Sequence, residues 1–232
     1  MYTYKYPHPS VTTDCVIFGY DGKDLHLLLV ERGSDPYKGS WALPGGFMEI
    51  NETVEECAAR ELFEETHVKD LYLEQFHTFS DVHRDPRERV LTVAFYALVR
   101  KSDYLVMAGD DARKATWFPV KNLPSLAFDH EKIISMAQER LREKVCYQPL
   151  AFRLLDEFFS LEELQRLYEA INGTRYDCLD FQKKIKATGF LEERGAREEI
   201  GLEESCLIYR FNEKAYEESM KQAATQKFPF CF

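Results

Sequence analysis

The stretch from 45 to 68, GGFMEINETVEECAARELFEETHV, constrains this chain more than any other. A glycine pair leads into a helix signal with its own start and its own acidic face. Thr53-x-x-Glu56 fits a capping box, in which each side chain satisfies the other residue's backbone N–H. Val54, Ala58, Leu62 and Thr66 recur at every fourth position, and Ala59 and Phe63 widen the apolar arc. The spacing predicts a helix from about Thr53 to Thr66 that packs on a sheet by that arc. Glu61, Glu64 and Glu65 stand at i, i+3 and i+4 and share one face. Three carboxylates this close repel and raise one another's proton affinity. Mg2+ or Mn2+ resolves the repulsion, since both favour carboxylate oxygen and water. Arg60, one turn before Glu64, is placed to orient a carboxylate. Gly45 and Gly46 let backbone approach a ligand with no Cβ in the way. For the Glu64-Glu65 pair alone, a solvated helix face is the plain alternative.

Charge narrows the partners. The 232 residues carry a formal net charge of −10, which opposes loose binding to nucleic acid or anionic membranes. It also opposes a phosphate-bearing ligand unless cations stand between the two. No apolar run is long enough to span a bilayer, and the first ten residues lack a signal-peptide core, so a cytoplasmic protein with no membrane partner is expected. The six cysteines (15, 57, 146, 178, 206, 231) show no C-x-x-C pair or metal spacing and are read as reduced, mostly buried thiols.

The first ~120 residues alternate strand and helix signals. Val11–Phe18 and Leu25–Val30 flank the turn-like Tyr20-Asp21-Gly22-Lys23 as a hairpin, and Trp41–Pro44 is a short extended piece. Arg89–Val99 is the strongest strand signal, β-branched and aromatic throughout, and Ala115–Val120 is another short strand. Trp41, Phe47 and Phe79 are read as core residues rather than as stacking platforms. Asp129 is a good N-cap for a long helix over about 130–144 that connects two parts of the chain. Beyond it, Ser160-x-x-Glu163 opens a helix that Gly173 stops, Asp177 caps a second helix that Gly189 stops, and two strands follow around a loop. Helix, short turn, helix and β-ribbon outline a winged helix. The domains are accordingly drawn as 1–145 and 146–232.

The 45–68 stretch resembles the Nudix box, G-x5-E-x7-R-E-U-x-E-E-x-G-U with U aliphatic. Gly46, Glu52, Arg60, Glu61, Leu62, Glu64, Glu65 and Val68 fall in register, and His67 stands where the family has glycine. A non-glycine residue in the left-handed geometry that ends a helix costs on the order of 1 kcal/mol, so His67 is read as a tolerated C-cap. The resemblance implies an α+β fold: a Nudix α/β/α sandwich with a mixed sheet, followed by a C-terminal winged helix-turn-helix domain. It implies Glu61, Glu64 and Glu65 as ligands of Mg2+ (or Mn2+), with Glu52 and Arg60 in the same catalytic set. It also implies metal-assisted attack of water on a phosphorus of a nucleoside diphosphate derivative. One of the box glutamates, or Asp81, Asp85, Glu88, Asp110 or Asp111 outside the box, is then the general base. Residues 84–90, RDPRERV, resemble the loop of Nudix enzymes that split ADP-ribose and of their regulatory relatives. Arg84, Arg87 and Arg89 are thereby substrate-binding candidates beside Gly45 and Gly46.

The segment from Leu123 to Leu191 resembles the C-terminal part of the Nudix-related transcriptional regulators. That family pairs a nucleotide- or sugar-sensing Nudix domain with a winged helix that binds operator DNA as a homodimer. Arg175, Lys183, Lys184 and Lys186 are then the candidates for DNA contact. Against this, the part from Cys146 onward carries 12 Lys and Arg and 16 Asp and Glu, and the wing LEERGAREEIGLEES is acidic. The leading expectation is a hydrolase acting on an ADP-ribose-like substrate. The alternative is a ligand-responsive DNA-binding regulator whose Nudix domain senses without turnover.

Overall fold

The computed structural model describes residues 5–108, 112–197, 206–222 and 229–232. The chain divides into two compact units, one built on Leu25–Ala137 with the preceding strand, the other on Gln138–Phe232.

The first unit holds strands β1 (Ser10–Tyr20), β2 (Leu25–Arg32) and β3 (Trp41–Ala42), then helix α1 (Val54–Thr66). Strands β4 (Glu74–Phe79), β5 (Val90–Arg100) and β6 (Ala112–Pro119) follow, and α2 (His130–Tyr147) begins in this unit. The sheet runs β3-β2-β1-β5-β4, with β6 also paired to β2. It is mixed: β1 and β5 are parallel from Ser10↔Val90 to Tyr20↔Arg100, and the other pairs are antiparallel. β1 is central, which is why Asp14–Tyr20 is buried without alternation.

Alternation along β1 nevertheless sorts the helices. Thr13 and Cys15 face α1, where the Thr13 hydroxyl lies 3.4 Å from the Cys57 thiol and the Cys15 thiol donates to the Ala58 carbonyl at 3.6 Å. Asp14 points the other way, towards His130 at the head of α2. The core on the α1 side joins Cys15, Ile17 and Leu28 to Ala58, Leu62 and Phe95.

Both halves of the predicted capping box close: Thr53 accepts from the Glu56 N–H at 3.2 Å and Glu56 from the Thr53 N–H at 2.8 Å. His67 ends α1 at φ 59°, its N–H bonded to the Phe63 carbonyl. The buried face is Cys57, Ala58, Leu62 and Thr66; Ala59 and Phe63 are exposed, so the apolar arc turns the opposite way from the predicted widening. The six-residue β4 had no sequence signal, because EQFHTF is mostly polar and lies half in solvent.

The second unit has β7 (Phe159–Ser160), α3 (Leu161–Asn172), α4 (Cys178–Ala187), β8 (Leu191–Arg197), β9 (Cys206–Phe211) and α5 (Glu213–Gln222). Ser160 and Glu163 close a second capping box, Gly173 ends α3 at φ 68°, and Asp177 caps α4. The sheet order β7-β9-β8 completes a winged helix. The tip of the predicted acidic wing, 198–205, lies outside the described residues.

One expectation about the cysteines is corrected. Cys146 and Cys231, 85 residues apart, form a disulfide. The last residues fold back onto α2, where the Phe230 N–H bonds the Cys146 carbonyl at 3.0 Å, and Phe230 is fully buried. A pairing across 85 residues leaves no spacing signal. Cys15 and Cys57 are buried free thiols, and Cys178 is exposed.

Candidate active site

A cleft of about 580 Å3 opens where the Gly45-Gly46 turn, the acidic face of α1, the end of β2, the 84–87 loop and the start of α2 meet. Gly45 sits at φ 152°, and a Cβ there would run into the Thr13 carbonyl; a Cβ on Gly46 would fall on the Glu61 carboxylate. The two glycines therefore let the chain pass between β1 and the acidic face of α1.

Of the predicted carboxylates, Glu61 and Glu65 line the cleft. Glu65 accepts the Gly45 N–H at 2.9 Å. Burial, with Glu61 and Asp14 adding, pushes its carboxyl up to about 8 against the Gly45 bond. Burial likewise raises Glu61, with Arg60 opposing. Glu64 does not line the cleft: its side chain is 55% exposed and accepts from Arg60 at 3.0 Å. Arg60 is the hub of the set. It also bonds Glu61 (2.8 Å), the Phe47 carbonyl (3.1 Å) and both oxygens of Glu52 (2.7 and 2.9 Å), which brings Glu52 down to about 2.

The arginine loop is split three ways. Arg84 lines the cleft, but it is 5% exposed, with Nε on Asp129 (3.1 Å) and Nη2 shared between Asp129 (2.7 Å) and Asp14 (3.3 Å). Arg87 lines the cleft, bidentate to Asp85 and over the Phe47 ring at 5.2 Å. Arg89 is not brought in; it bonds the carbonyls of Ser80 and Asp81. Among the general-base candidates, Asp85 reaches the cleft, Asp81 caps the His83 N–H, Glu88 accepts from Ser10, and Asp110 and Asp111 lie outside the described residues. Phe47, read as core, is a half-exposed wall of the cleft, whereas Phe79 is buried and Trp41 packs edge-on against Phe118.

Sequence reasoning missed Asp14, Arg32, Phe128 and His130. Asp14 left a signal: it is the sole charged residue in β1 and is almost fully buried. His130 accepts the Leu43 N–H at Nδ1 (2.9 Å), so its proton sits on Nε2, 3.5 Å from Asp14. Burial lowers its pKa and keeps it neutral.

The donor set fits a hard divalent cation. Two carboxylates whose proton affinities are raised by burial, with neighbouring acidic charge adding, face one polar cleft, and oxygen donors suit Mg2+ or Mn2+. Among the described residues no three acidic, histidine or cysteine side chains form a ready cluster, and Glu64 is turned to Arg60.

In the winged helix, Lys183, Lys184 and Lys186 are exposed on α4. Lys184 pairs with Asp180 at 2.8 Å, Lys186 lies 5.4 Å over the Tyr209 ring, and Arg175 pairs with Glu169 at 2.7 Å.

Residues 8–137 match the NUDIX domain model, and residues 151–211 match the NrtR DNA-binding winged helix domain. The chain belongs to the Nudix family and carries an NrtR-type winged helix after its Nudix domain. It is 33% identical over 216 residues to the ADPR responsive transcriptional repressor NtrR of Acinetobacter baylyi, covering 91% of this chain and 86% of that one. Over 129 residues it is 45% identical to the ADP-ribose pyrophosphatase of Methanocaldococcus jannaschii, covering 56% of this chain and 73% of that one. The crystal structure of Shewanella oneidensis NrtR complexed with a 27mer DNA superposes with a TM-score of 0.67 at 30% identity, covering 89% of this chain and 95% of that one. No helix among the described residues is long and apolar enough to cross a membrane.

Proposed function

We propose that this chain is a DNA-binding transcriptional regulator that responds to ADP-ribose or a closely similar nucleoside diphosphate derivative. The Nudix cleft of residues 1–145 binds the nucleotide. The winged helix of residues 146–232 binds operator DNA, as one half of a homodimer in the cytoplasm. The observation that carries this reading is the pairing, in one chain, of a nucleotide-sized cleft with a winged helix, in an arrangement similar over 91% of the chain to an ADPR responsive repressor.

Selection of duplexes from a random pool by the full chain tests it. One sequence is enriched without nucleotide, and ADP-ribose abolishes the enrichment; a pool that stays random removes the DNA-binding reading. On the selected duplex, Lys183→Gln and Lys186→Gln are each expected to reduce the slope of log affinity against log salt by about 1, the signature of one lost phosphate contact. An unchanged slope would place those lysines off the DNA.

A second reading has its own support: the Nudix domain retains metal-dependent hydrolysis of ADP-ribose to AMP and ribose 5-phosphate. The 45% identity to an ADP-ribose pyrophosphatase and the survival of Glu52, Arg60, Glu61, Glu64 and Glu65 favour it. Glu61 and Glu65 would hold Mg2+ or Mn2+ at the cleft, and Glu64 would join them on release from Arg60. Bound there, the cation supplies charge neutralisation at the diphosphate and a more acidic water. Arg60 positions the carboxylates, the two glycines admit the ligand close to backbone, and Asp85 is the candidate base on the opposite loop.

A further inference from the structure

Three arginines line the cleft, and they are not equivalent. Arg84 is 5% exposed and is held from two sides, Nε on Asp129 and Nη2 on Asp129 and Asp14, whereas the Arg87 side chain is 40% exposed. Arg32 uses only Nε, on the Pro36 carbonyl at 2.8 Å, so among the described residues both its terminal amino groups are left for a ligand. Arg87 uses Nε and Nη2 on Asp85, which leaves Nη1.

Both of these guanidiniums lie over one ring, Phe128, at 4.8 Å for Arg32 and 5.7 Å for Arg87. Each is attracted to the ring face, yet two like charges brought to one ring repel each other. Burial and the nearby Arg87 charge lower the pKa of Arg32, with Glu65, Asp85 and Asp14 opposing. Phe128 is held at φ 52°, a left-handed conformation that bulky residues avoid and that in native proteins concentrates at ligand sites. Its neighbour Ala127 is tied to the Trp41 carbonyl at 2.8 Å, and the Tyr37 ring braces Phe128 edge-on at 4.8 Å. The ring is thus braced where it carries both cations at the wall of the cleft. An anion between their free N–H groups relieves the repulsion and receives charge-assisted hydrogen bonds.

We propose that Arg32 and Arg87, seated on Phe128, form an anion site that holds the diphosphate of the ligand directly, with no divalent cation required. This rests on the reading of the cleft as a nucleoside diphosphate site. It separates two jobs within that cleft: the arginine pair binds, and the Glu61–Glu65 face serves turnover. Sensing then survives the absence of metal.

Calorimetric titration of the full chain in EDTA tests this with ADP-ribose, ADP and AMP. ADP-ribose and ADP are expected to bind, and AMP more weakly. Arg32→Gln and Arg87→Gln should each weaken ADP-ribose by about tenfold or more, and Arg87→Lys should restore little, because lysine lacks the flat fork. Arg87 is on the exposed rim, so Arg87→Gln remains informative even if Arg32→Gln fails to fold. Binding of ADP-ribose that needs Mg2+, ADP no tighter than AMP, or an Arg87→Gln protein that binds as well as wild type overturns the arginine site and leaves the ADP-ribose reading standing. Absence of binding both in EDTA and in Mg2+ overturns that reading, and the arginine site with it.

Discussion

Gly45→Ala is expected to destabilise the Nudix domain by about 3–5 kcal/mol, the sum of a strained backbone and an overpacked contact. Two independent features converge on this position. At φ 152° an L-residue is strained, and the added Cβ has no room because the Thr13 carbonyl of the central strand is already there. Neither partner yields cheaply. Thr13 is locked in the parallel β1–β5 pairing and donates its N–H to the Gly46 carbonyl at 2.9 Å. The Gly45 N–H is bonded to Glu65, so a shift of the turn also disturbs the acidic face. Thermal unfolding followed by circular dichroism should show a midpoint lowered by roughly 10–20 °C. A midpoint within a few degrees of wild type would mean that the turn is looser than described. Gly22→Ala is the useful contrast: it also has positive φ, but a Cβ there meets nothing, so only the backbone cost applies.

Glu65→Gln carries the second large effect, and its two parts have opposite signs. On the hydrolase reading, release of AMP from ADP-ribose with Mg2+ present should fall by about 10²–10⁴-fold, the range seen when a group central to proton or metal chemistry is removed. In EDTA the same substitution should help the fold at alkaline pH. Unfolded, Glu65 titrates near 4.5; folded, burial moves it to about 8. Between those values the folded protein keeps a proton that the unfolded chain has lost, so stability declines as pH rises through that window and levels off above it. Glutamine mimics the protonated form and removes the decline. Denaturant titrations at pH 5 and pH 8.5 should therefore show a pH-dependent loss, on the order of a few kcal/mol, that is smaller in Glu65→Gln. An equal loss in both proteins would place the titration elsewhere.

How much of this was legible in the sequence depended on whether the signal was local. Helix α1 was readable almost to the residue, because a capping box, a four-residue apolar recurrence and a left-handed C-cap all lie within one short stretch. The capped pair of helices in the second unit was readable for the same reason. The sharing of the carboxylates was not. Spacing put Glu61, Glu64 and Glu65 on one face, but Glu61 and Glu65 line the cleft while Glu64 stays exposed on Arg60. The arginine loop was recognised as a feature, yet the fates of Arg84 and Arg87 are set by Asp14, Asp129 and Asp85, two of which come from other segments, and Arg89 is held by the carbonyls of Ser80 and Asp81. Arg32, Phe128 and His130 were invisible because each is a single residue, at the end of β2, in the turn before α2 and at the start of α2, brought together only by the fold. The parallel β1–β5 pairing and the Cys146–Cys231 disulfide are non-local in the same sense. Helix α5, with the polar sequence EKAYEESMKQ, offered no apolar stripe strong enough to mark it.

The central claim is that one ligand at the Nudix cleft and one duplex at the winged helix report on each other through the same chain. Linkage makes the two effects reciprocal: if ADP-ribose weakens DNA binding by some factor, saturating DNA must weaken ADP-ribose binding by the same factor. The direct measurement is the affinity of the full chain for ADP-ribose in EDTA, with and without a saturating amount of the selected duplex. The account predicts a dissociation constant that rises on adding DNA, by a factor equal to the loss of DNA affinity in saturating ADP-ribose. An ADP-ribose affinity that is the same with and without DNA would contradict it.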